Sequence, residues 1–157
     1  MPNHIWLEFG DGQWLFHLKN KRIDAVETST GAALGDIYSR SLSGMYRDTD
    51  GEWVVMPTEA RWKNSELVEV VRQGFIGGAR KIKDGVETEV KDFHVNHAIQ
   101  VYLDERPRVE LWKLAAAGLH ATMEGYEPGE AEALATGAEP DASDGPQSLD
   151  QMDTPDI

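Results

Sequence analysis

Residues 5–18 read IWLEFGDGQWLFHL, two apolar runs on either side of a Gly-Asp-Gly turn. An apolar residue occupies every second position in each run, at 5, 7 and 9 and again at 14, 16 and 18. This period of two is typical of strands with one buried face, and the turn between them predicts a β-hairpin. A hairpin alone is marginally stable in water, so the rest of the chain must cover its apolar face.

Helical periods follow the hairpin. Apolar spacing predicts a short helix from about Arg22 to Gly31 and another from Leu34 to Gly44, either as two helices or as one kinked helix. The polar, turn-rich stretch 45–58 predicts a loop, in which Trp53–Met56 form a short strand or a packed segment.

The clearest helix begins after residue 64. Ser65 is a plausible N-cap, and Gly77-Gly78 supplies a C-terminal stop. The basic residues that follow, from Arg80 to Lys83, predict a solvated loop. Two further helices are predicted, separated by a break from Asp104 to Pro107, and the second ends at Gly125. Apolar residues at helical spacing mark these three helices: Leu67, Val70, Val71 and Phe75; Val95, Ala98, Ile99, Tyr102 and Leu103; Leu111, Leu114, Ala115, Gly118, Leu119 and Thr122.

These elements predict a mostly-α α+β fold, in which an N-terminal β-hairpin packs on four or five helices in residues 1–125. Residues 126–157 differ sharply in composition, with nine acidic residues, no Lys or Arg, and four of the seven prolines. A segment so acidic and so poor in bulky apolar groups predicts a disordered acidic tail. Its role, solubilising or partner-binding, is left open.

The composition of the whole chain excludes several classes of site. Lys and Arg number 15 against 28 Asp and Glu, a formal charge of −13, which argues against general nucleic-acid binding. There is no cysteine, so thiolate metal sites, disulfides and cysteine nucleophiles are excluded. No signal peptide or membrane-spanning run is visible, and we expect a cytoplasmic protein without a membrane partner.

No catalytic or metal-binding motif stands out. His94 and His97 share a helix face, and Asp92 or His120 could complete a metal site, but no spacing defines a third ligand. The glycines of residues 74–78 close a helix, whereas a phosphate loop precedes one. We therefore expect no catalytic residue, no metal and no cofactor.

Surfaces remain as the functional candidates. The last helix carries a second apolar stripe and a ridge of small residues, 115–118, that could form a groove for a partner helix. The partner-binding candidates on these helices are Phe75, Tyr102, Trp112, Leu119 and Met123.

The order of elements resembles a known family. It runs from the hairpin at 5–12, through the short helix at 22–27 and the helix 66–78 with its Gly74-x-x-Gly77-Gly78 ending, to the alanine-rich helix 109–123. This layout is similar to the tail assembly chaperones encoded by gene transfer agents and related long-tailed phages and prophages. The sequence departs from the pattern in a longer loop, 45–63, and in its acidic tail.

The resemblance implies a non-enzymatic protein of the bacterial host cytoplasm. Such chaperones bind the tape measure protein, keep it soluble while the tail tube assembles, and are absent from the mature particle. The tail tube protein is a possible second partner, and the oligomeric state is left open. Two alternatives are a minor structural tail component and an acidic-tailed adaptor or regulatory module.

Overall fold

The computed structural model describes residues 2–125. The predicted α+β class is confirmed: an N-terminal hairpin and the sheet that contains it pack with five helices in this part of the chain. The predicted acidic tail, 126–157, lies outside the described residues. In chain order the elements are β1 (His4–Phe9), β2 (Gly12–His17), α1 (Asn20–Thr30), α2 (Leu34–Ser41), β3 (Met45–Arg47), β4 (Trp53–Val55), α3 (Asn64–Gly78), β5 (Arg80–Lys83), β6 (Val86–Glu89), α4 (Asp92–Tyr102) and α5 (Arg108–Glu124).

The N-terminal hairpin is part of a four-stranded antiparallel sheet with the order β1-β2-β5-β6. Ile5 pairs with Phe16 and Leu7 with Trp14, which places the apolar residues of both strands on one face. That face is buried, as the alternation predicts. Strands β3 and β4 form a separate two-stranded ribbon.

The prediction of a solvated loop at Arg80–Lys83 is wrong. These residues form strand β5, which pairs with both β2 and β6. Every residue of β6 is exposed, so this hairpin has little of the apolar alternation that signals a strand. The remaining signal is the turn dipeptide Asp84-Gly85, where both residues have positive φ, 54° and 78°. Asp-Gly at such a position favours a tight hairpin turn.

Helix boundaries differ from the prediction in detail. Helix α3 begins at Asn64 with Lys63 as its N-cap, so the N-cap predicted at Ser65 is wrong. Of the two alternatives for the stretch that follows the first hairpin, two helices or one kinked helix, the structure has two separate helices, α1 and α2. The predicted break before α5 is present. Pro107 is the N-cap of α5 and so lies one position before the first turn of that helix.

The glycines at the end of α3 bring that helix against β2. A Cβ on Gly77 would lie 2.0 Å from the His17 carbonyl oxygen, and one on Gly78 would lie 1.9 Å from that of Leu15. These glycines are helical residues, and the left-handed residue that ends the helix is Ala79, with φ 57°. Their predicted role as a stop is therefore secondary to close packing of helix on strand.

The core is centred on Phe16, which is fully buried between two helices. Its ring occupies the space that a Cβ would need on Gly74 of α3 and on Gly118 of α5. Beside this apolar core, α2 is joined to α3 by Arg40 Nη2, which lies 2.7 Å from Oε2 of the buried Glu66. Pairing with a guanidinium is what allows a carboxylate to be buried there.

Candidate functional site

Three of the five predicted partner-binding residues are core residues. Phe75, Trp112 and Leu119 are each 1 % exposed or less, so no partner can contact them in this conformation. Phe75 stacks on Phe9 with ring centroids 5.0 Å apart, and the Trp112 indole donates a hydrogen bond to the Ser41 carbonyl oxygen at 2.7 Å. Their assignment to a partner surface was wrong, because Phe75 on α3 and both Trp112 and Leu119 on α5 are covered by other elements of the same chain.

The small-residue ridge of α5 is also occupied within the chain. Ala115, Ala116 and Ala117 are buried, and Gly118 receives the ring of Phe16. Small residues permit close approach of a neighbouring element, and at Gly118 that element is strand β2 of the same chain. The groove predicted along 115–118 is therefore filled by the protein's own core.

The other two candidates are accessible. Tyr102 is half-buried, packs edge-on against Phe9 at 5.7 Å, and lines a cleft of about 430 Å³. This cleft contains charges of both signs, including an Arg106–Glu110 ion pair at 3.2 Å. Met123 is 43 % exposed on the last turn of α5.

A more apolar cavity lies between the β3–β4 ribbon and the start of α5. It measures about 340 Å³ and we call it the hairpin groove; its lining residues are Val55, Pro57, Ala60, Trp62, Arg108 and Val109. Val109 is 37 % exposed, and the neighbouring Met56 is 41 % exposed. Exposed apolar side chains that border a cavity are typical of a surface that binds another polypeptide.

Local hydrogen bonds hold the wall of the hairpin groove. Met56 donates its backbone N–H to the Gly44 carbonyl at 2.8 Å, and its own carbonyl accepts from Glu59 and Ala60 at 2.9 and 3.1 Å. The backbone N–H of Arg61 donates to the Ser43 hydroxyl at 2.7 Å. The segment that follows the ribbon is thus tied back to the end of α2, which sets the position of Trp62.

Cations border the hairpin groove. Arg61 donates to the carbonyl oxygens of Thr58 and Ala60 at 3.3 and 3.1 Å, and Arg108 donates to Asn64 Oδ1 at 2.9 Å. Lys63 follows Trp62 in the chain and is exposed.

Within residues 2–125, none of Arg61, Lys63 and Arg108 forms an ion pair with a carboxylate. Glu59 is the acidic residue on the same segment. Arg61 and Arg108 therefore bring two cations to the groove, and Lys63 and Glu59 are neighbours of its lining residues along the chain.

A second basic cleft lies at the start of α1. It measures about 330 Å³ and is lined by Lys19, Lys21, Arg22, Ile76, Gly77 and Asp92; we call it the α1 cleft. Arg22 is held by Gln73, whose Oε1 accepts from its guanidinium at 3.0 Å. Only one large apolar side chain, Ile76, lines this cleft, which distinguishes it from the hairpin groove.

Two of the histidines that were considered as metal ligands, and not expected to bind a metal, have other contacts in the structure. Among the described residues no three His, Asp or Glu side chains are placed to hold a metal ion. His94 Nδ1 accepts the Lys91 backbone N–H at 3.0 Å and so caps α4. His120 lies on α5, where its Nδ1 is 3.5 Å from the Tyr38 hydroxyl, which itself donates to Glu124.

Among the titratable groups of residues 2–125, three have shifted pKa values. Burial raises the pKa of Asp11, but hydrogen bonds and charge from Lys81 and Lys83 outweigh it, so the net pKa is lowered. Burial, with the charges of His4 and Lys19, lowers the pKa of His17.

The third group, Tyr38, has a raised pKa, because its hydroxyl is partly buried and donates to the Glu124 carboxylate. Tyr38 and Glu124 therefore join α2 to the end of α5, and Asp11 joins the first hairpin to β5. All three shifts follow from packing between neighbouring elements.

None of the helices in residues 2–125 combines the length and apolar character needed to cross a bilayer. Comparison with protein-family models, with curated proteins and with solved structures yields no match. The function must therefore be argued from the residues themselves.

Proposed function

We propose that this chain is a tail assembly chaperone of the type encoded by gene transfer agents and long-tailed phages, and that it binds the tape measure protein. Its place of action would be the cytoplasm of the bacterial host, and it would be absent from the mature particle. The proposal begins with the resemblance in element order across residues 5–123. The structural observation that supports it most is the hairpin groove, an exposed apolar cavity on a small, mostly helical body.

The groove has the properties that an amphipathic helix requires of its binding site. Val55, Trp62 and Val109 offer apolar and aromatic surface to the stripe of a partner helix. Met56 at the edge is flexible and polarisable, which suits a groove that must accept successive stripes of a long helix. A tape measure protein exposes such stripes until the tail tube surrounds it, so covering them would keep it soluble. The tail tube protein is the second candidate partner.

Co-expression with the tape measure protein of the same gene cluster tests the proposal. We expect a higher soluble yield of the tape measure protein and a complex on gel filtration. Replacing the exposed Val109 of the groove lining and the exposed Met56 beside it in the chain, V109Q with M56Q, should reduce both the soluble yield and the complex at least severalfold. The matched control is V86Q with F93Q, which likewise replaces two apolar side chains by glutamine, at residues that are 61 % and 64 % exposed and are neither lining residues of the groove nor their neighbours in the chain.

Three outcomes would contradict the proposal. Unchanged solubility without a complex would remove the tape measure protein as partner. Equal losses in both double variants would remove the hairpin groove as the binding surface. Detection of the chain by mass spectrometry in purified particles would favour the minor structural tail component.

A further inference from the structure

The hairpin groove combines two features that together restrict what can occupy it. Its lining is largely apolar, and two arginines without a carboxylate partner in the described part of the chain lie at it: Arg108 on the lining, and Arg61, whose guanidinium donates to the carbonyl oxygen of the lining residue Ala60. A purely apolar segment would leave these cations without a counter-charge. The complementary occupant is a segment that carries apolar side chains and carboxylates close together.

The same chain contains such a segment outside the described residues. Residues 134–157 hold six acidic residues and no Lys or Arg. Near their end, Leu149 and Met152 alternate with Asp150 and Asp153 in the run Leu149-Asp150-Gln151-Met152-Asp153. This run offers apolar side chains for the lining and carboxylates for the border.

The length of the chain permits this contact. The groove lies at the first turn of α5, whereas the tail leaves from the other end of that helix. A helix of 17 residues spans about 25 Å at 1.5 Å per residue. An extended chain covers roughly 3.3 to 3.6 Å per residue, so about eight residues reach back to the groove. Residues from 134 onward are therefore within reach of it.

We propose that residues 134–157 dock in the hairpin groove of their own chain, with Leu149 and Met152 on its apolar lining and the aspartates at its cationic border. The tail then covers the apolar cavity when no partner is present. If the proposed function holds, tail and tape measure protein compete for one surface; the docking itself does not depend on that function.

Paramagnetic relaxation tests the docking in the full-length chain. The sequence has no cysteine, so the variant S148C carries a single nitroxide label, directly before the run that begins at Leu149. At low salt we expect strong broadening of the backbone amides of Val55 and Val109 and of the Trp62 indole. Raising the salt to roughly 0.5 M should remove most of the broadening, since the border contacts are screened.

A pair of variants separates this groove from other basic surfaces. R61Q with K63Q should lower the paramagnetic rates at the groove at least twofold. K19Q with K21Q, which removes two cations from the α1 cleft, should leave them unchanged. Mixing spin-labelled unenriched chain with unlabelled ¹⁵N chain should give no broadening at the groove, because the contact is within one molecule.

The proposal is overturned if the groove amides stay sharp in the labelled chain, or if the broadening falls instead on Ile76 and Gly77 of the α1 cleft. It is also overturned if the mixed sample broadens as strongly as the labelled chain, because the occupant would then be a second copy. None of these readouts involves the tape measure protein, so the docking and the proposed function fail separately.

Discussion

Substituting Gly78 with alanine tests the central packing of the fold, the crossing of α3 over β2. The added Cβ would lie 1.9 Å from the Leu15 carbonyl oxygen, whereas ordinary contacts begin at 3.4 Å. The obstacle is the backbone of a strand that is paired on both sides, so it cannot move alone. Overpacking of this kind costs about 1 to 3 kcal/mol, and the gain in helix propensity returns at most about 1 kcal/mol. We expect G78A to lower the free energy of unfolding by about 2 kcal/mol.

Urea unfolding followed by tryptophan fluorescence measures the effect, with the midpoint reduced and the slope unchanged. The matched control is G35A in α2, because a Cβ at Gly35 would meet nothing within 4 Å. There the same substitution should raise stability by a few tenths to about 1 kcal/mol. The reasoning is refuted if G78A unfolds at the same or a higher urea concentration than the wild type while G35A shows its expected gain.

Two further predictions concern the core and the first hairpin. Leu119 is fully buried and Leu114 only partly, so L119A should cost about 2 to 5 kcal/mol and L114A clearly less; equal losses in urea unfolding would contradict the assigned faces of α5. The lowered pKa of Asp11 means that its pairing with Lys81 stabilises the fold above the unfolded-state pKa and is lost as the pH falls through the lower, folded-state value. D11N should therefore reduce the fall in urea midpoint as the pH drops below about 4, the unfolded-state value, and an unchanged acid slope would contradict the ion pairing.

Local signals predicted those elements whose pattern is strong. The alternation at 5–18 predicted β1 and β2, and the apolar stripes predicted α3, α4 and α5 within a few residues. The strands β5 and β6 were missed because β6 is exposed throughout and β5 is only half-buried, so burial imposes no apolar alternation on their sequence. The dipeptide Asp84-Gly85 was the only local sign of their turn.

Periodicity also cannot show what covers an apolar stripe. The two apolar stripes of α5 suggested more apolar side chains than a small domain could bury. Trp112 and Leu119 were therefore assigned to a partner surface. In the structure α3 covers one side of α5, while β1 and α2 cover others. Trp112 and Ala116 of the second stripe are therefore core, and only Met123 at its end is exposed. A glycine such as Gly118 gave no sequence signal of its partner, because the ring that fills its space lies about one hundred residues earlier, at Phe16.

The sequence did not predict the hairpin groove either, because the groove is formed by segments that are distant in the chain. Its walls come from residues 55–62 and from 108–109, and only the fold places them together. The first of these segments belongs to the loop 45–63, where the chain departs from the pattern of the family that it resembles. If the chain is a tail assembly chaperone, the shared elements supply the scaffold, and the surface that selects the partner lies in the part that differs. Grafting a shorter loop in place of 45–63 would then abolish partner binding while leaving the packing of α3 on β2 intact.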